Sequence, residues 1–563
     1  MRFLPLLCFV AILVSVAGAP AAAQVAARPV TGGHGVVASP EPYAAQVGID
    51  IMRQGGNAVD AAVAMGFALA VTLPSAGNLG GGGFMVIHLP DGRDVAVDYR
   101  EMAPLAATRD MYLDAAGKAV SSRSRMGHLA AGVPGSPAGL CHVQAKYGKL
   151  SLEEVMAPAI ALAKDGIVVS RFLAGSLRGS ALRLGAFAES KRIFLADGGL
   201  WKTGETFKQP DLARTLERIA KSGRDGFYKG PVADAIVAEM TRGKGLMTHA
   251  DLAGYEVKER APTVGTYRGC KVVSMPPPSS GGTALVQMLN LLEAYPIRRW
   301  GPGSERTLHF MVESMRLAFR DRARHMGDAD FTPVPAAGMA SKAYAAKLRD
   351  RIREVAGVSE AMPPAYPEKE QTTHYSTMDA SGCAVACTTT LNGGYGCAVT
   401  VPGAGFLLNN EMDDFASAPG VPNMYGLIQG EANAVGPRRR PLSSMTPTLL
   451  QRDGRVIMVI GSPGGPTIIN TVLQCVLNVV DHDMDIAQAI AAPRVHHQWL
   501  PDRIVHEPFG INPDVLRGLR KRGHDTRARR GWMGDAHGIL WDAERKMMTA
   551  ASDPRNGGRA MGF

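Results

Sequence analysis

Aromatic residues make up only 6% of the 563 positions, and no run of basic residues is longer than Arg438-Arg439-Arg440. The net charge of +10 is therefore spread thinly. A nucleic-acid interface needs clustered cations, so the expected reading is instead a basic exported protein with a solvated surface and no nucleic-acid partner. Past the first segment there is no uninterrupted apolar run of about 18 residues, so no membrane span or stable membrane anchor is expected. The cysteines other than Cys8 are Cys141, Cys270, Cys383, Cys387, Cys397 and Cys475, and their spacings match no zinc pattern. An even number permits disulfides in an oxidising compartment, while buried free thiols suit a chain of this length equally well. There is no internal repeat, no Gly-x-Ser-x-Gly elbow and no pair of catalytic carboxylates at a telling spacing.

The chain does carry an address. Arg2 supplies a positive start, Leu4 to Val16 an apolar core, and Ala21-Ala22-Ala23 a small-residue cleavage site. Residues 1–23 are expected to be a signal peptide, leaving a periplasmic or secreted protein. Hydrophobic content of 46% and charged content of 20% are those of a globular chain.

In order, Pro42 to Arg53 predicts a helix, and Asn57 caps a second one over Ala58 to Thr72. That second helix is apolar nearly all round and should be buried against a sheet. Gly80 to Gly83 leads into a strand over Phe84 to Leu89. No Lys-Ser/Thr follows the glycines, which favours a tight turn over a phosphate cradle. Asp91-Gly92 turns back into Val95 to Tyr99, ending at Arg100. Helices are predicted over Ser151 to Lys164, with Ser151 and Glu154 as a capping box, and over Asp211 to Ser222, Pro231 to Arg242, Ala284 to Tyr295 and Glu305 to Ala323. Val355 to Gln371 is polar with three prolines, an exposed segment that could leave once cut.

The second part is denser in strands, among them Gly405 to Asn410. Arg455 to Ile460 reads as a buried strand that meets a helix from Pro466 through Gly461-Ser462-Pro463-Gly464-Gly465. His496-His497 resembles a metal pair, yet adjacent residues of a strand point to opposite faces, favouring a structural role. Gln371-Thr372-Thr373-His374-Tyr375-Ser376 opens a β-favouring run, Asp379-Ala380-Ser381-Gly382 is a turn, and Cys383 to Thr390 is the return strand. With Ala380-Ser381 as the loop, Thr372 faces Thr389 and Thr390 faces Gln371; a bulge shifts this by one. Either way a second threonine hydroxyl lies beside the first. Alone, this fits an ordinary strand start equally well.

The Gln371 to Ser376 run and Thr390-Leu391-Asn392 resemble the γ-glutamyltransferases (γ-glutamyltranspeptidases, glutathione hydrolases). So, in order, do Gln54 to Ala62, Gly77 to Phe84, Met275 to Gly282, Asn409 to Phe415, Pro441 to Met445 and Gly461 to Gly465. The resemblance runs from about Gly35 to the C-terminal end. It implies an α+β, N-terminal-nucleophile hydrolase fold: a four-layer αββα sandwich built jointly by two subunits cut from one precursor, residues 24–371 and 372–563. Cleavage between Gln371 and Thr372 would make Thr372 the N-terminal nucleophile. The new α-amine is a built-in base, with a reference pKa of roughly 8. The resemblance further implies that Thr390 supports the Thr372 hydroxyl and that Gly464 and Gly465 form the oxyanion hole. Arg100, Ser443 and Ser444 would bind the substrate α-carboxylate, Asn392, Glu411 and Asp414 its α-ammonium, and Tyr425 would be a lid in the loop Pro419 to Gly430. The expected partners are glutathione or other γ-glutamyl donors, with water, amino acids or dipeptides as acceptors, and no metal or organic cofactor is implied. Alternatives on the same fold are a cephalosporin (glutaryl) acylase and a poly-γ-glutamate amidohydrolase. A non-catalytic exported amino-acid-binding protein should have lost Thr372, Thr390 or the Gly464-Gly465 pair, and none is lost.

Overall fold

The helix Ala58–Thr72 has no polar stripe, and every one of its residues is buried. It can be so because Asn57 and Asp60 close a capping box on its first turn and Asp379 Oδ2 accepts the Ala58 amide, so its start leaves no orphan donors there. The computed structural model that contains it describes residues 28–196, 199–359, 372–418 and 420–563. The expected signal segment, Gln371 with the rest of 360–371, and Pro419 lie outside the described residues.

Two seven-stranded sheets form the centre. One runs, edge to edge, through 559–562, Gly35–Ser39, Thr373–Asp379, Ala384–Thr390, Gly82–His88, Asp94–Tyr99 and Lys258–Arg260. The other runs through Val30–Gly32, Met547–Ser552, His537–Asp542, Arg455–Gly461, Thr448–Arg452, Cys270–Ser274 and Thr263–Tyr267. Side chains alternate faces along each strand. Val36, Phe84, Val86 and Ala386 therefore meet Val273, Leu449, Val459 and Ile539 between the sheets. Their neighbours Val37, Met85, Ile87 and Val385 pack outward on Ala58–Thr72 and adjoining helices. Val272, Leu450, Met458 and Ile460 pack outward on Gly281–Leu292, Glu305–His325 and Thr467–Val480. Helix, sheet, sheet and helix make the four-layer α+β sandwich. Both sheets interleave strands from before and after residue 371.

The hairpin register corrects the expected one. Thr373 pairs with Thr389 and Met378 with Ala384, so Thr372 comes opposite Thr390 rather than Thr389. The cause is a three-residue loop. Gly382 takes a φ of 86°, its amide donates to Asp379 O, and Asp379 closes the hairpin on Cys383. Gly405 to Asn410 makes isolated bridges to Gly80 and Thr400 rather than a strand. The six cysteines are free and buried. His496 and His497 are both buried and separately engaged, His496 by Asn470 and Gln498 and His497 by Asp502.

Candidate active site

Thr372 immediately precedes the Thr373–Asp379 strand, and its Oγ1 lies 3.3 Å from Thr390 Oγ1. Thr390 is held from two sides. The Asn392 amide donates to its hydroxyl at 2.8 Å. Its carbonyl accepts from Asn78 Nδ2 at 2.9 Å. Gly81 permits that approach, since a Cβ there would stand 2.1 Å from Thr390 O. The glycine run is thus a packing device against the strand that carries Thr390. Asn392 itself has a φ of 71°, a conformation asparagine tolerates better than most residues.

One cavity collects Thr372, Thr390, Arg100, Asn392, Glu411, Asp414, Tyr425, Ser443, Ser444 and Gly465. Of the residues singled out in the sequence, Gly464 is adjacent to this lining, while Gln371 falls outside the described residues. Arg322, Leu427, Met445 and Ile468 join the lining without having been anticipated. Arg322 was legible in principle. It continues the buried stripe Met311, Met315, Ala318 at helical spacing, a charge on an apolar face.

Arg100 follows the Asp94–Tyr99 strand and is buried. Its guanidinium pairs with Glu411, donates to Asp414 Oδ2 at 2.6 Å, and through Nε reaches Pro441 O at 3.1 Å. Cation and acids, expected on opposite ends of a substrate, are thus paired with each other here. Burial works against the Arg100 charge, and Glu411, Asp414 and Glu101 more than reverse it, raising its pKa. Burial raises Glu411, with Arg100 opposing, and pushes Glu101 up to about 7. Glu411 and Asp414 sit in one short helical turn, 411–414, positioned by Asn409, whose Oδ1 accepts the Glu411 amide.

Ser443 and Ser444 are brought in by the Pro-Pro-Pro-Ser-Ser-Gly-Gly run. Ser443 N donates to Pro278 O, Ser280 N and Oγ donate to Ser443 O, and Ser279 Oγ donates to Met445 O. Tyr425 lines the same cavity. Its hydroxyl donates to Asn392 Oδ1 at 2.6 Å and to Asn392 O at 2.9 Å, and its ring lies against Gly465.

Gly464 and Gly465 have φ values of 130° and 52°. Thr467 N and Oγ1 both donate to Gly464 O, at 3.0 and 2.7 Å. In a trans peptide the next N–H points the opposite way. The Gly465 N–H is therefore turned away from the Thr467–Val480 helix, at a residue that lines the cavity.

Behind Thr372, His374 is buried and bonds to Thr388 Oγ1 and Ser376 Oγ. Burial, with His537 nearby, lowers its pKa well below the usual value, so it is neutral. Among the described residues one group has metal-ligand chemistry, His309, Glu313 and His524, with ligand atoms within 4.8 Å of one another. Its atoms are already engaged. His309 Nδ1 meets His524 Nε2 at 2.8 Å, His309 Nε2 meets Arg353 O at 2.6 Å, and Glu313 pairs with Arg316 and accepts the Gly357 amide. The group straps down residues 353–357. No helix among the described residues is long and apolar enough to cross a membrane.

The sequence pattern of the Gamma-glutamyltranspeptidase family matches residues 44–563. The Glutathione hydrolase proenzyme of Escherichia coli (strain K12) is 48% identical over 535 residues, spanning 94% of this chain and 92% of that one. The crystal structure of Helicobacter pylori gamma-glutamyltranspeptidase is 48% identical with a TM-score of 0.55, covering 55% of this chain and 90% of the solved one. The cephalosporin acylase of Bacillus halodurans is 26% identical with a TM-score of 0.86, covering 98% of this chain and 99% of that one. The paired threonines, the cavity beside them and these likenesses across nearly the whole chain agree: the protein belongs to the gamma-glutamyltranspeptidase family.

Proposed function

We propose that the chain is an exported, self-processing γ-glutamyltransferase that cleaves the γ-glutamyl amide of glutathione and related donors. One observation carries this reading: the Thr372 hydroxyl opens on a cavity whose polar lining holds both guanidinium and carboxylate groups. An amino-acid head group, one carboxylate and one ammonium, is the small molecule such a lining suits.

In the precursor, Thr372 Oγ1 attacks the Gln371 carbonyl. The acyl group moves from N to O, and water hydrolyses the ester, freeing residues 24–371 and 372–563 as an obligate pair. In the mature enzyme the Thr372 α-amine takes the hydroxyl proton as Oγ1 attacks the donor γ-carbonyl. The Gly464 and Gly465 amides stabilise the oxyanion. The C–N bond breaks, the ammonium returns its proton to the leaving amine, and a γ-glutamyl ester of Thr372 remains. Water resolves it to glutamate, or an acceptor amine to a new γ-glutamyl amide. Thr390 orients the nucleophile. Arg100, Ser443 and Ser444 hold the α-carboxylate, Asn392, Glu411 and Asp414 the α-ammonium, and Tyr425 covers both. The pairing of Arg100 with the acids is then exchanged for pairing with the substrate.

Purified protein run on a denaturing gel, with N-terminal sequencing and a γ-glutamyl-p-nitroanilide assay, tests the reading. Two fragments are expected, the smaller beginning at Thr372, together with nitroaniline release. A small fragment beginning at another residue, or processed protein inert toward every γ-glutamyl donor, would overturn it.

A further inference from the structure

Two guanidinium groups line the cavity, and they are not in the same condition. Arg100 spends its donors on Pro441 O, Glu411 and Asp414. A carboxylate arriving there has to displace an acid. Arg322 enters from the last turn of the helix Glu305–His325, donating from Nε to Ser280 Oγ at 2.9 Å and from Nη2 to Ser444 Oγ at 3.2 Å. Its Nη1 is buried and has no hydrogen-bond partner. No carboxylate lies within ion-pair distance of it among the described residues. A buried, unpaired donor on a charged group is costly to keep. Burial pulls Arg322 down to about 10, with Asp414 acting the other way, so the group remains cationic at neutral pH.

We infer that Arg322 is a second reader of the donor's α-carboxylate. Its Nη1 takes one carboxylate oxygen beside the Ser444 hydroxyl, and the other oxygen faces Arg100. The inference rests on the γ-glutamyl reading above and adds a binding residue to it. The open Nη1 separates this role from a purely structural one. Through Nε and Nη2 alone, Arg322 would only tie the Ser280 loop to Ser444. A tie of that kind does not require a third donor left without a partner on a side chain that lines the cavity.

The test compares two p-nitroanilide donors, γ-glutamyl and 4-aminobutyryl, which differ only in the α-carboxylate. In the unaltered enzyme, kcat/KM should favour the γ-glutamyl donor. Arg322→Gln should reduce that preference roughly ten- to hundred-fold, the size of a charge-assisted bond. Arg322→Lys keeps the buried charge and gives the same reading, with a smaller reduction, where the Gln protein does not process. If both donors fall by one common factor, so that the ratio is unchanged, Arg322 is a structural tie and the inference fails. A crystal structure of the processed enzyme with glutamate decides independently of any variant. The α-carboxylate should lie within hydrogen-bond distance of Arg322 Nη1, and its absence from that position overturns the inference. If the unaltered processed enzyme cleaves neither donor, the γ-glutamyl reading itself has failed, an outcome separate from an unchanged ratio.

Discussion

Thr390 Oγ1 stands 3.3 Å from Thr372 Oγ1 while accepting the Asn392 amide at 2.8 Å, so the hydroxyl beside the proposed nucleophile is anchored before any substrate arrives. Both threonines lie at the same end of one hairpin, and the register that sets them opposite each other depends on the three-residue loop at Gly382.

Removing that neighbour should slow both uses of Thr372. Thr390→Ala is expected to leave more uncut precursor on a denaturing gel and to lower kcat of the processed fraction by roughly tenfold, the value of one net hydrogen bond. Thr390→Ser should recover most of the loss. Normal processing and kcat in the Ala variant would show that the 3.3 Å approach carries no function.

Gly81 has no room for a side chain beside the strand that carries Thr390. An alanine there would place its Cβ 2.1 Å from Thr390 O and 2.6 Å from Asn78 Oδ1. Two fixed polar groups cannot both give way, so Gly81→Ala should destabilise the protein by about 1–3 kcal/mol. It should also reduce processing, because the displaced group is Thr390. A thermal melt and a processing gel check this; unchanged values in both would mean the strand shifts freely.

Much of this site is legible in the chain, and what escapes has physical reasons. The Ala58–Thr72 helix declares itself because a stretch with no polar face can only be buried. Arg100 at a strand end is by itself only a surface or salt-bridge arginine, and the family resemblance is what singles it out. The hairpin register escaped by one residue because Gly382 can serve equally as a paired residue or as a left-handed loop residue, and only the folded turn decides. Arg322 continues the apolar stripe of Met311, Met315 and Ala318, but helical spacing says only that it turns inward, not that a cavity waits there. The pairing of Arg100 with Glu411 and Asp414 spans more than three hundred residues, and no local pattern encodes it.

His496 gives a pH dependence with a definite sign. It is buried, and Asn470 Nδ2 lies 2.7 Å from its Nδ1 while Gln498 Oε1 lies 2.8 Å from its Nε2. Burial lowers its pKa to about 3, against an ordinary 6.5. Above pH 6.5 neither the folded nor the unfolded state is protonated there, and the contribution is full. As pH falls from 6.5 toward 3 the unfolded state takes up the proton first, and stability is lost at up to about 1.4 kcal/mol per pH unit. Urea unfolding of the unaltered protein and of His496→Asn should therefore show a stability difference that shrinks between pH 7 and pH 5. A difference that stays constant over that range would mean His496 is protonated in the fold.

The lid separates γ-glutamyl transfer from acylase chemistry on the same fold. Tyr425 is pinned at both ends. Its hydroxyl rests on Asn392, its amide donates to Asn423 Oδ1, and Gln498 Nε2 reaches Tyr425 O at 3.3 Å. Its ring packs on Gly465, over the loop proposed to hold the oxyanion. Under the proposed function a short γ-glutamyl group would lie beneath such a cover, shielded there from bulk water. A glutaryl-cephalosporin carries a bulky leaving group that needs the cover moved aside. The intact enzyme should therefore prefer glutathione in kcat/KM by at least roughly ten- to hundred-fold. Tyr425→Phe removes only the hydroxyl anchors on Asn392 and should narrow the preference modestly. Tyr425→Ala opens the roof; it should narrow the preference further and raise hydrolysis relative to transfer, because water then reaches the γ-glutamyl ester as readily as an acceptor amine does. Side-by-side kcat/KM values for the two donors, with product ratios in the presence of glycylglycine, provide the measurement. An intact enzyme that favours the cephalosporin, or an Ala variant with both ratios unchanged, would shift the assignment to the acylase.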